Sequence, residues 1–396
     1  MHRIQRRAAA WRILAGLLWM GVAGLSPAAA QDTAPKEVVA KDLHEQVVRI
    51  EVTVSDMFGR EETMDMPITV FTPPGEGPFP LMVFNHGRAV DTKRAAQGRA
   101  RFEHLARYFV DKGMVVMVPT RVGYWETYGD FDPEQSGKCG ARRYEAMHRA
   151  VSDQVLATVA YARTRPEVDA RRWLVGGVSV GGLTALATAA RHPAGLMAAL
   201  NFSGGAGGNP DTRPAAPCDP QQLQQHWASI ASRARAPSLW LYWDNDQFWG
   251  RDVPREWHRV WSAGGSEAQF VALPALPNAD GHQGADLDME HWLPVVDRFL
   301  GTLGLTRPAI VQRPPKVPGV DVTDASQVPI SAASRADGYA RFLKATLPRA
   351  FAVGDKGGWG YAYGDYATGR ALGYCRRSGQ RCTLYAVDND VVWSAR

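Results

Sequence analysis

Ser179 lies in Gly177-Val178-Ser179-Val180-Gly181, behind the apolar run Trp173-Leu174-Val175 and ahead of the small residues that begin with Gly182. A serine in G-x-S-x-G, after a short strand and before a helix, has the pattern of a nucleophile elbow, a sharp turn that leaves Oγ exposed at the end of a sheet. The glycines are required because side chains beside the turn would strike the adjoining strand and helix. The same turn aims the Val180 N–H at the oxyanion that forms when Oγ attacks an acyl carbon. The blander reading, a glycine-rich turn with an incidental serine, fits the flanking strand and helix less well.

A serine hydroxyl is a poor nucleophile near neutral pH, so it needs a base and a group to orient that base. Downstream, Ser238 to Trp243 reads as a strand running into Asp244-Asn245-Asp246. Either aspartate can serve; Asp246 is favoured because it sits deeper in the loop, with Asp244 left to cap the turn. For the base, His282 lies in the loop Gly281-His282-Gln283-Gly284, where flanking glycines let the ring project toward Ser179. His291, beside Trp292, falls on the following helix and is the alternative.

A second oxyanion donor is expected from the loop after an early strand, and Phe84-Asn85-His86-Gly87-Arg88-Ala89 occupies that place. Arg88 is nominated for its backbone N–H. Its guanidinium either pairs with a substrate carboxylate or is an ordinary solvated arginine. No metal-ligand spacing, phosphate-binding glycine loop or dinucleotide fingerprint accompanies these residues, so neither a metal nor a cofactor is expected.

The elements that must hold these groups alternate along the chain. Extended segments at 47–54, 64–71 and 79–85 come first, and then helical spacing (Phe102, Leu105, Ala106, Phe109, Val110) gives way to the apolar run 114–118. A helical face formed by Met147, Val151, Val155 and Val159 precedes the 173–175 strand and the helix 181–190. Strands 196–202, 238–243 and 269–273 then alternate with helices near 221–233, 256–263 and 289–303. Strands separated by helices require crossover connections, hence a doubly wound, mostly parallel sheet in the α/β class. Residues 31–305 are read as this domain, with 204–235 as a small lid. Trp240, Trp243, Phe248 and Trp249 either line an aromatic acyl or alcohol site or pack in the core.

Prolines at 308, 314, 315, 318 and 329 mark 306–330 as a linker. Residues 331–396 read as a small α+β module with a helical start at 339–345, an extended stretch 351–363, a helix 366–377 and a final strand pair at 382–393. Its aromatics Trp359, Tyr361, Tyr363 and Tyr374 are taken as its own core, with a binding face for a large substrate as the alternative.

Residues 1–30 form a leader of a different kind. Arg3, Arg6, Arg7 and Arg12 precede the apolar run Ile13 to Leu25, and Ser26-Pro27-Ala28-Ala29-Ala30 supplies a small-residue cleavage site. The run is shorter than the ~20 residues a membrane span needs. A cleaved secretory signal is therefore expected, with a periplasmic or secreted product and no stable membrane insertion. Removing the leader takes away four arginines and no acid, so the formal charge of +5 becomes +1. A nearly neutral chain gives no reason to expect a nucleic-acid partner. Four cysteines lie beyond the leader, an even set in an oxidising compartment, and two disulfides are the default. Cys375 and Cys382 are close within one module, which favours that pair and leaves Cys139 with Cys218.

With Asn85-His86-Gly87, Pro119 to Tyr124, Gly177 to Gly182, Leu241 to Asp246 and Asp280-Gly281-His282 in view, the chain resembles the dienelactone-hydrolase-like and prolyl-oligopeptidase-like branch of the α/β-hydrolase superfamily. The resemblance spans roughly residues 45–303. It implies an α/β-hydrolase fold, a triad at Ser179, Asp246 and His282, action on esters or related acyl compounds, and no cofactor; the partner expected is a small-molecule or polymer ester substrate. Dienelactone hydrolases proper use a cysteine nucleophile, so their substrate does not carry over to this serine. A peptidase is the runner-up, yet roughly 55 residues between Gln31 and His86 are too few for the propeller such enzymes carry. A binding protein on a retired hydrolase fold is the third reading, disfavoured because serine, aspartate and histidine remain in the right order.

Overall fold

The computed structural model describes residues 40, 43–307, 314–364, 366–377 and 380–393. The leader and the first part of the proline-rich segment lie outside the described residues. Strands β1 (Gln46–Ser55) and β2 (Glu61–Phe71) form an antiparallel hairpin, and β2 pairs antiparallel with β4 (Val115–Pro119). From β4 onward every neighbour is parallel: β3 (Phe79–Asn85), β5 (Val168–Val178), β6 (Leu196–Phe202), β7 (Ser238–Trp243) and β8 (Ala268–Leu273). The order across the sheet is β1-β2-β4-β3-β5-β6-β7-β8.

Strands β4 and β7 are buried along their whole length, as parallel strands covered on both faces must be, whereas the edge strand β1 leaves most of its residues partly or fully exposed. The short α1 (Asp91–Ala96) and α2 (Glu103–Asp111) lie between β3 and β4 in the chain, and α3 (Tyr144–Ala162) leads into β5. Then follow α4 (Val180–Ala189), α5 (Pro220–Ile230), α6 (Val253–Ala263), α7 (Gly284–Leu287) and α8 (Met289–Thr302). One core joins α3, α4, α5 and α6 through Val155, Leu183, Trp227 and Trp261; the other joins α2 and α8 through Phe109, Trp292 and Phe299. The molecule is thus an α/β-hydrolase fold with helices on both faces of the sheet.

Some bounds differ from the sequence pattern for identifiable reasons. Helix α6 starts three residues before the expected Glu256 because Pro254 stands in its first turn, where a missing N–H costs nothing. Strand β5 reaches back to Val168 because Val168 and Asp169 pair with Phe79 and Pro80 across a register shift.

The C-terminal residues form a second sheet of order β10-β9-β11-β12, from β9 (Arg349–Gly354), β10 (Trp359–Tyr363), β11 (Cys382–Val387) and β12 (Asp390–Val391). The stretch expected to run extended from 351 to 363 is instead a hairpin, turned where Gly357 takes φ +82°. Short helices α9 (Ala332–Ser334) and α10 (Ala340–Lys344) precede this sheet, and α11 (Ala367–Arg376) packs on it. Val322, Val328 and Ile330, within the segment whose composition reads as linker, are buried with Tyr339, Phe342 and Phe351 in the module's own core. Cys139 is bonded to Cys218 and Cys375 to Cys382.

Candidate active site

The chain passes from β3 to β4 on one side and returns to β5 on the other, so β3 and β5 flank the point where the winding reverses. Crevices outside the carboxyl ends of strands at such a point are where ligands bind in open α/β sheets. Asn85-His86-Gly87 leave β3 there, and Ser179 leaves β5. Ser179 has φ 59° and ψ −124°, an unusual conformation for a residue with a side chain, and its N–H donates to Phe202 O at 3.0 Å. The turn tolerates this because its flanks lack side chains: a Cβ on Gly181 would lie 2.0 Å from Asn85 O, and one on Gly177 would lie 2.5 Å from the same atom. Ser179 is partly buried, and Val180 opens α4, so its N–H belongs to the first turn and has no partner within the helix.

Across the crevice, Asp246 is 1% exposed and both carboxylate oxygens are engaged. Oδ1 accepts the N–H groups of Phe248 (2.8 Å) and Trp249 (3.1 Å), and Oδ2 lies 3.0 Å from His282 Nδ1. A carboxylate only accepts, so Nδ1 carries the proton and Nε2 is left as the basic nitrogen. The Phe248 ring stacks on His282 at 3.9 Å between centroids, and Trp249 meets it edge-on at 5.4 Å. Among the described residues no hydrogen bond joins His282 to Ser179. The two sides of the site meet through Gly205, whose N–H donates to Ser179 O at 3.2 Å and whose Cα leaves no room for a side chain against Trp249.

Asp244 points elsewhere, toward Arg251 (3.3 Å) and Arg255 (3.8 Å) at the surface. His291 is half exposed on α8 and pairs with Asp288 at 2.6 Å. Two further residues, named in the sequence reading only as members of motifs and given no role there, hold His282 in place. Asp280 Oδ1 accepts the N–H groups of His282 (2.9 Å) and Gln247 (2.8 Å), and Asn245 donates to Leu276 O and Ala279 O. Together they tie the histidine loop to the aspartate loop. Asp-Gly-His carries the Asx-turn signal that points to Asp280, since an aspartate readily caps the N–H two residues on.

The Arg88 guanidinium departs from both expectations set for it. The side chain is 24% exposed and already paired, clamped by Asp132 with Nη1–Oδ1 at 3.0 Å and Nη2–Oδ2 at 2.5 Å, and 3.7 Å from Glu134, so it is neither an ordinary free surface arginine nor open to a substrate carboxylate. Asp132 lies 44 residues away in sequence, so no local pattern announces it. Glu134 is also paired with Arg121 and takes the Tyr124 hydroxyl at 2.7 Å. Burial opposes ionisation of Glu134, but Arg121 and Arg88 outweigh it and bring its pKa down to about 2. Of the aromatic residues near the acid loop, Trp240, Trp243 and Trp249 are core, and Phe248 alone is partly exposed.

The family model described as "Putative esterase" matches residues 61–278. No curated protein matches the chain. Among solved structures, it is similar to a "Putative Dienelactone Hydrolase" from Klebsiella pneumoniae, with 19% identity and TM-score 0.43 over 65% of this chain and 99% of that one. It is similar to an acylaminoacyl peptidase from Pyrococcus horikoshii at 14% identity and TM-score 0.46, over 68% of this chain but 43% of the peptidase. A cold-adapted esterase from an Arctic intertidal metagenomic library gives 18% identity and TM-score 0.43, over 69% and 98%. With the family match covering more than half of its length, the chain belongs to the esterase family of the α/β-hydrolase superfamily.

Proposed function

We propose that the protein is an exported serine esterase that cleaves carboxylic esters through an acyl-enzyme. The observation that carries this reading is the buried Asp246–His282 pair facing the crevice where Ser179 sits on its strained turn. Asp246 keeps the His282 proton on Nδ1, so Nε2 is free to take the proton from Ser179 Oγ as it attacks the acyl carbon. The N–H groups of Val180 and Arg88 receive the negative charge that develops on the carbonyl oxygen. His282 then hands its proton to the leaving alkoxide, and a water activated by the same ring releases the acid. The missing Ser179–His282 hydrogen bond is consistent with a free enzyme, where such contacts are often loose until substrate arrives.

Export rests on the leader's composition, and two disulfides fit an oxidising compartment. Protein recovered from the periplasm or medium is expected to begin at Gln31. The catalytic reading is tested with a fluorophosphonate probe and a series of p-nitrophenyl and aryl esters set beside peptide anilides. Wild type is expected to be labelled at Ser179 and to turn over esters, with Ser179→Ala losing label and at least ~10³-fold in rate. Labelling of wild type with turnover of anilides alone replaces the esterase by a peptidase; no labelling removes the serine mechanism.

A further inference from the structure

His86 lies beside the nucleophile but reaches no reacting atom, and both its ring nitrogens are engaged. Nδ1 is 2.7 Å from Gly87 O, and Nε2 is 3.0 Å from the Arg121 backbone N. A carbonyl only accepts and an amide N–H only donates, so Nδ1 carries the proton and Nε2 is bare. Arg121 holds the same residue a second time, its Nη1 donating to His86 O at 2.8 Å, while its Nε donates to Glu134. His86, Arg121 and Glu134 are 3%, 0% and 1% exposed. The ring is therefore gripped inside the protein and is not a surface group that happens to lie nearby.

Gly87 packs against the nucleophile, for a Cβ there would stand 3.2 Å from the Cβ of Ser179. In a trans peptide the C=O and N–H point in opposite directions, so a ring that anchors Gly87 O also sets where the Arg88 N–H points. We infer that His86, held in its Nδ1–H tautomer by Arg121, is a positioning residue that fixes the Gly87–Arg88 peptide plane and so aims the Arg88 N–H at the developing oxyanion. The inference rests on the donor role proposed above for that N–H. A rotated plane would present Gly87 O to the substrate, an acceptor where a donor is needed.

The surroundings keep the tautomer steady. Burial and the Arg121 guanidinium bring the His86 pKa down to about 3, against the opposing pull of Glu134 and the Gly87 carbonyl. A further polar neighbour is Tyr124, edge-on at 4.5 Å, whose hydroxyl burial keeps neutral beside Glu134. The ring thus stays neutral wherever an esterase would be assayed.

The test compares two amides in place of the ring, with the wild-type enzyme as reference. In His86→Asn the amide nitrogen sits close to the position of Nδ1 and can still donate to Gly87 O; in His86→Gln the amide falls near Nε2 and cannot. His86→Gln is expected to lower kcat on p-nitrophenyl acetate by at least ~10²-fold with KM within about threefold, and to slow phosphonate labelling of Ser179 in parallel. His86→Asn is expected to recover at least about tenfold of that loss. A purely structural role would move KM and Tm together with kcat and would show no preference for Asn. If neither variant folds, two-bond 1H–15N spectra of the wild-type histidines decide: His86 must show a protonated Nδ1 and bare Nε2, unchanged from about pH 5 to about pH 9. Full kcat in His86→Gln, no advantage of Asn over Gln in folded protein, or a wild-type ring that is Nε2–H or titrates in that range overturns the inference. A wild type that is neither labelled nor active would instead overturn the esterase reading, while the ring spectrum still tests the anchor.

Discussion

Asp246 spends one oxygen on two backbone N–H groups and the other on His282, which leaves no room for a donor in its place. In Asp246→Asn the amide NH2 must face either those N–H groups or the His282 Nδ1–H, and both orientations set donor against donor. The ring then relaxes to the Nε2–H tautomer, which has no base to offer Ser179. Ester turnover is expected to fall by roughly 10³-fold or more in Asp246→Asn with little change in Tm. Asp244→Asn breaks only surface pairs with Arg251 and Arg255 and is expected to stay within about twofold. By the same logic His282→Ala should be nearly inactive and His291→Ala nearly normal. Equal losses at positions 244 and 246, read by steady-state kinetics, would detach the acid from the base.

At the scale of elements, the Cys139–Cys218 bridge joins the two loops that support opposite sides of the crevice. The loop before α3 carries Asp132 and Glu134, which hold Arg88 and Arg121. The loop after β6 carries Gly205 and Gly208; a Cβ on Gly208 would lie 2.8 Å from both Phe248 and Trp249, the residues that pack on His282. Breaking this bridge is expected to affect both sides together. Cys139→Ser with Cys218→Ser should lower stability by up to about 4 kcal/mol, given the 79-residue separation, and should also lower kcat/KM. The Cys375–Cys382 bridge closes a loop with a sequence separation of only 7 within the C-terminal module, and Cys375→Ser with Cys382→Ser should leave kcat/KM within about twofold. Melting curves and ester kinetics on the two double variants make the comparison, and equal kinetic loss in both would mean the first bridge has no special relation to the site.

At the scale of the molecule, the C-terminal module keeps its own sheet and core yet leans on the hydrolase. Tyr366 meets Tyr108 at 5.5 Å, Arg370 and Tyr374 reach Glu290, Arg376 pairs with Glu103 at 3.0 Å, and Arg377 donates to Leu287 O. These contacts cover α2, α7 and α8, next to the core that holds Trp292. Since all the residues proposed for catalysis precede it, a chain ending at Thr306 is expected to hydrolyse a small soluble ester within a few-fold of the full rate but to melt several degrees lower. An unchanged Tm would show that the docking contributes nothing. Acid should destabilise the whole protein as well. Burial holds the native pKa of His86 down to about 3 and that of His148 well below the ordinary 6.5, so these side chains refuse protons that the unfolded chain accepts. Their stabilising contribution is full above about pH 6.5 and is lost as pH falls toward the native values, by up to about 1.4 kcal/mol per proton per pH unit. Glu134, brought to about 2, adds a contribution that is present above its ordinary 4.5 and lost toward pH 2. A Tm that does not drop between pH 7 and pH 5 would contradict this assignment.

What the sequence determined by itself is local. The alternation of apolar runs with helical spacing is set by neighbours a few residues apart, and it marked out six helices of the mostly parallel-sheet frame, without the short α1 and α7; the glycines around Ser179 announce their turn because only a missing Cβ fits between Asn85 O and the helix. Tertiary structure decided whatever depends on which loops meet. Asp244 and Asp246 are the same residue type two positions apart, and they separate only because Oδ1 of one finds the N–H groups of Phe248 and Trp249. The Arg88 guanidinium is clamped by an aspartate 44 residues on, and His86 is fixed by Arg121 from the loop that follows the neighbouring strand β4, 35 residues away. Composition marked 306–330 as linker because proline content is local, whereas the burial of Val322, Val328 and Ile330 depends on a sheet formed by residues 349–391. Such pairings are energetic only once the chain has closed long loops, and spacing along the sequence carries no record of them.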